Sequence, residues 1–78
     1  MEEKGLGAEF INIVGKVFNV DPENLSRETS FVEDLHAKSL NIYALAAFME
    51  KMSGKKITYA EANQCASIGE AIDLMEKS

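Results

Sequence analysis

The sequence predicts an all-α protein: a small four-helix bundle, three longer helices plus one short one, with a long loop between helices one and two. Three observations carry this expectation. Apolar residues recur at helical spacing in three separate segments. Two hydroxyl residues stand three positions ahead of a glutamate, the spacing of a capping box. No run alternates well enough to propose a strand.

Leu6, Phe10, Ile13, Val14, Val17 and Phe18 share one face while Glu9, Asn12 and Lys16 occupy others, which predicts a first helix over roughly residues 3 to 18. Asp21-Pro22 stops it, because proline has no amide hydrogen and biases the residue before it away from helical geometry. From Asp21 to Lys38 the chain is mainly polar, with Leu25, Phe31, Val32 and Leu35 spaced as anchors that pin a loop to a core. Ser39 opens the second helix, and Ser53-Gly54 closes it where glycine takes the left-handed conformation. Thr58 with Glu61 and Ser67 with Glu70 begin two more. The third helix is short, about 58 to 64; the fourth carries Ile68, Ala71, Ile72 and Met75 on one face and runs to the C-terminal end.

At 78 residues the chain supports one domain, residues 1–78, stabilised by a helical core. Cys65 and His36 are the only residues of their types, so neither a disulfide nor a Cys/His metal site is expected, and Cys65 reads as a small core hydrophobe. No basic leader and no long apolar run is present, which predicts a soluble, cytoplasmic monomer without membrane insertion. A net charge of -5 argues against nucleic-acid binding and points toward basic partner surfaces, although moderate acidity also serves solubility. No set of acid, base and nucleophile stands at recognisable spacing, and a His36/Ser39 pair lacks an orienting carboxylate, so no enzyme is expected.

The second helix is unusual in being apolar on more than one face. Ile42, Leu45, Ala46 and Met49 form a stripe suited to the core, and Leu40, Tyr43, Ala44 and Ala47 form a neighbouring one. A bundle this small cannot bury both, so the second stripe is a candidate partner surface. Ser39 sits at the helix start, where amides and the dipole favour a phosphate; the commoner role of a serine there is a plain N-cap, and local chemistry alone favours the cap.

Residues 29–41, Thr-Ser-Phe-Val-Glu-Asp-Leu-His-Ala-Lys-Ser-Leu-Asn, resemble the signature of the acyl carrier protein family, and Val20–Leu25 and Ala71–Leu74 extend the resemblance along the chain. The resemblance implies that Ser39 receives 4'-phosphopantetheine from coenzyme A through a phosphopantetheinyl transferase. It further implies thioester-bound acyl groups shuttled among acyl-transferring, condensing or modifying enzymes of fatty acid or related biosynthesis. Docking then uses Leu40, Tyr43, Ala44 and Ala47, and Phe31, Leu45, Phe48 and Ile68 are candidates to line an acyl pocket. Four residues depart from the pattern: His36 replaces a glycine, Lys38 and Asn41 replace aspartates, and Ala44 stands where glutamate is common. Lys38 is a candidate phosphate contact or else a solvated lysine. The loss of acidic charge leaves two rivals to a general carrier. One is a specialised carrier for a polyketide, peptide or lipid-modifying pathway; the other is an unmodified helical interaction module.

Overall fold

Four helices form where the apolar periodicity places them, in a computed structural model that describes residues 5–77. The first helix, α1 (Leu6–Phe18), starts later than the sequence suggests, because Gly5 is extended; the expected residues 3 and 4 lie outside the described residues. It ends at Asn19, whose left-handed backbone (φ 59°) lets the next amide, that of Val20, return to the Gly15 carbonyl at 2.8 Å. Asp21 then caps a single 3-10 turn, Pro22–Asn24, by accepting the Glu23 amide at 3.0 Å.

Helix α2 spans Ser39–Ser53 and closes at Gly54 (φ 73°), as the glycine predicts. Helix α3 (Tyr59–Asn63) carries the full capping box: Thr58 Oγ1 accepts from the Glu61 amide at 3.1 Å, and Glu61 Oε1 accepts from the Thr58 amide at 3.0 Å. Helix α4 (Ile68–Glu76) has only half a box. Ser67 Oγ accepts from the Glu70 amide, but the Glu70 carboxylate reaches one residue further back, to the Ala66 amide at 2.8 Å. The helix stops at Glu76; Lys77 is extended, and Ser78 lies outside the described residues.

Helix α2 is central, packing against α1, α3 and α4, while α1 also meets α4. Phe10, Val14, Phe31, Leu45, Met49 and Ile68 are fully buried between them. Side chains of this size contribute about 1.5–3 kcal/mol each when withdrawn from water.

The long loop is fastened to the start of α4. The Ile68 amide donates to the Thr29 carbonyl at 3.0 Å, the Gly69 amide to the Arg27 carbonyl at 2.9 Å, and the Phe31 amide to the Ala66 carbonyl at 3.1 Å. Ser30 and Ser67 thereby form an isolated antiparallel bridge, the one strand-like pairing among the described residues. Amides of the first helical turn have no partner inside their own helix, so the loop carbonyls satisfy what α4 leaves open. Arg27 adds an exposed ion pair to Asp73 at 2.9 Å.

Of the four loop anchors, Leu25 and Phe31 are buried and Leu35 is half-buried. Val32 corrects the expectation: it is 66% exposed, because the chain turns immediately after Phe31 has entered the core. Phe31 stacks on Phe18 of α1 with ring centroids 6.4 Å apart.

The docking leaves little room for a side chain at position 69. A Cβ there would stand 3.1 Å from both the carbonyl oxygen and the Cβ of Arg27, and the oxygen is held by the Gly69 amide itself. Gly69→Ala is therefore expected to lower stability by about 1 kcal/mol in urea titration, despite a helix-propensity gain of similar size. A more stable variant would show that the loop yields freely.

Candidate functional site

The start of α2 is built by three residues acting together. Lys38 is extended and serves as the N-cap, and Asn41 Oδ1 accepts its amide at 2.9 Å. The Lys38 ammonium has no acceptor to offer, so Asn41 fastens this helix end from inside the first turn. Ser39 is already helical. The N-cap role considered for Ser39 is thus corrected: Lys38 takes that position. The Ser39 side chain is exposed, and its Oγ instead meets the Tyr59 phenol of α3 at 3.5 Å.

The chain ahead of Lys38 is wound tightly. Ser30 Oγ accepts the Glu33 amide at 3.0 Å, Asp34 Oδ2 accepts the Ser30 amide at 2.8 Å, and the Phe31 carbonyl accepts the Ala37 amide at 2.8 Å. To close this turn, His36 adopts the left-handed region at φ 54°.

Between α2, α3 and the loop lies a cavity of about 380 Å3. The apolar groups of Phe31, Ile42 and Cys65 line it together with Lys38, Tyr59 and Asn63, and Ser39 stands in its wall. Of the pocket candidates named from sequence, Phe31 alone lines it. Leu45 and Ile68 are fully buried in the core. Phe48 is 38% exposed and outside the core, because it is turned about 100° from the middle of the inner stripe. Burial pushes the Cys65 thiol up to about 11, with Glu70 and Glu61 adding to the shift, so this cysteine is a packing group and a poor nucleophile.

The outward side of α2 presents Leu40 at 81% exposure and Tyr43 at 59%, with Ala47 exposed and Ala44 half-buried beside them. Tyr43 stacks on Tyr59 across the seam between α2 and α3, ring centroids 4.4 Å apart and 29° between planes. No carboxylate belongs to α2 before Glu50, whose Oε2 is occupied by the Ile57 amide at 2.9 Å. Among the described residues no group of three or more His, Cys, Asp or Glu side chains could hold a metal ion. Sequence reasoning missed Tyr59, Asn63 and Ile42 as neighbours of Ser39. Helical periodicity identifies faces, and carries no signal for which side chain of α3 will reach a serine twenty positions earlier.

The chain is 35% identical over 68 residues to an acyl carrier protein of Porphyromonas gingivalis, covering 87% of each chain. It is 34% identical over 64 residues to an acyl carrier protein of Wolinella succinogenes, covering 82% of this chain and 84% of the relative. A third, from Borreliella burgdorferi, is 27% identical over 77 residues, 99% of this chain and 96% of the relative. The chain belongs to the acyl carrier protein family. No family model matches it.

Family membership gives the departures from the acyl carrier signature a physical reading. His36 stands where the signature has glycine, and its left-handed backbone is the conformation that glycine adopts without penalty. His36→Gly is therefore expected to raise stability by about 0.5–1 kcal/mol in chemical denaturation, and His36→Val to lower it by more than that. Equal stabilities for the three proteins would mean that the turn relaxes at no cost.

Proposed function

We propose that the protein carries acyl groups on a 4'-phosphopantetheine arm attached to Ser39 by a phosphopantetheinyl transferase, and that it shuttles them between enzymes of fatty acid or related biosynthesis. The observation that carries this reading is the state of Ser39: first residue of α2, exposed, and free of a capping duty because Lys38 holds the N-cap. A phosphate esterified there fits the site. It meets the positive end of the α2 dipole and its first amides, with the Lys38 cation adjacent in the chain. When attached, the arm supplies a thiol that holds acyl groups as thioesters.

The remaining residues serve delivery. The exposed Leu40, Tyr43 and Ala47, with Ala44 beside them, form a strip next to Ser39 on which transferring, condensing or modifying enzymes dock. Docking converts the meeting of cargo and active site into an intramolecular event, which raises its effective concentration. Phe31, Ile42 and Cys65 offer apolar wall to the part of the cargo nearest the arm. No helix among the described residues is long and apolar enough to cross a membrane; the carrier reading has the protein work in the cytoplasm as a monomer. The acid-free outer strip favours partners of a dedicated pathway, polyketide, peptide or lipid-modifying, because binding there depends on apolar burial rather than on carboxylates.

Intact mass before and after incubation with coenzyme A and a broad-specificity transferase tests the reading. The expected result is a gain of one phosphopantetheine on the native chain and none on Ser39→Ala. A native chain that gains nothing with several transferases points to an unmodified interaction module.

A further inference from the structure

We propose that Tyr59 is a positioning residue for the phosphodiester on Ser39, donating its phenolic hydrogen to a phosphoryl oxygen and fixing the direction in which the arm leaves the helix. The proposal rests on the carrier reading and adds a residue to it.

The geometry is better suited to the esterified serine than to the free one. At 3.5 Å the phenol and the Ser39 hydroxyl are further apart than the 2.7–2.8 Å of a good O–H to O bond. A phosphoryl oxygen stands two bonds beyond Oγ, to the side of the line between the two hydroxyls and so within reach of the phenol, and an anionic acceptor draws an O–H donor to about 2.5–2.7 Å. The phenol is an adequate donor there, because it carries one hydrogen and no competing charge.

Tyr59 is also held in place to do this. Its backbone begins α3 directly after Thr58, where the reciprocal Thr58/Glu61 bonds at 3.1 and 3.0 Å fix the helix start. Its ring is braced from the outer side of α2 by the stack with Tyr43 at 4.4 Å. A braced aromatic ring has only two side-chain torsions to restrict, so little freedom is lost when the hydroxyl is engaged. Tyr59, Lys38 and Ser39 line the same cavity, so a hydrogen-bond donor and a cationic side chain border the place where the phosphate would stand.

The test compares the native chain with Tyr59→Phe, which keeps the ring stack and removes only the hydroxyl. Both are charged with phosphopantetheine, the loading is verified by mass, and phosphorus NMR is recorded. The expected result is a displaced phosphorus resonance and faster local motion in Tyr59→Phe, with the anchored conformer reduced roughly tenfold or more, the scale of one hydrogen bond to a charged group. In the native chain, the Tyr59 ring signals should move between the unmodified and the modified protein. Matching phosphorus shift and relaxation in the two loaded proteins, or Tyr59 ring signals unmoved by loading, overturn the role of Tyr59 while leaving the carrier reading intact. A native chain that gains no mass overturns both.

Discussion

The seam between the long loop and the first turn of α4 is the constraint on which the site depends. The bonds from Ile68 to Thr29, from Gly69 to Arg27 and from Phe31 to Ala66 turn what the polar composition suggests is a tether into part of the folded body. The two ends need each other: α4 opens with amides that lack helical partners, and the loop has carbonyls with no sheet or helix of their own to bond. Once joined, the loop delivers Phe31 into the core against Phe18, and the turn that follows can only rejoin the bundle at Lys38. Ser39 is thus positioned by bonds that join residues 8 to 12 positions before it to residues 27 to 30 positions after it.

Helix α2 answers two demands with its two apolar stripes. Ile42, Leu45, Ala46 and Met49 face inward and are buried, and they hold α1, α3 and α4 together. Leu40, Tyr43 and Ala47 face outward and remain largely uncovered. The inward stripe keeps the helix rigid, so Ser39 at its start is displayed from a fixed platform. The outward strip is displayed from the same helix, which keeps Ser39 and the exposed Leu40, Tyr43 and Ala47 in constant register. The family's acidic positions near Ser39 are Lys38, Asn41 and Ala44 here, and each has a different consequence. Lys38 brings a cation beside Ser39, Asn41 fastens the helix start, and Ala44 leaves the strip uncharged.

Much of this was legible in the sequence, and the parts that were not share a cause. Helix limits followed from local chemistry: Thr58 with Glu61 began α3, Gly54 closed α2, and Pro22 followed the end of α1. The buried stripe of α2 followed from periodicity. Less legible were matters decided between distant segments. The offset of Phe48 from the inner stripe shows the limit of reading a helix face from spacing alone. Val32 looked like a second anchor beside Phe31, yet one turn of loop can send only one of two adjacent side chains inward. Gly69 carried no signal in the sequence, and it is where the loop comes close to α4. Around Ser39 itself, the proposed attachment residue was named from the signature, whereas the Lys38 cap turns on Asn41 reaching back from the first turn of α2, and the approach of Tyr59 depends on how α2 and α3 meet.

Amide hydrogen exchange on the native chain, read residue by residue, tests most directly whether the loop is a structural member that holds Ser39. The account predicts that the amides of Phe31, Ala37, Ile68 and Gly69 exchange together, with protection approaching that of the core amides of α2. Exchange of Phe31 and Ala37 at the rate of a freely exposed loop, while the α2 amides stay protected, would contradict it.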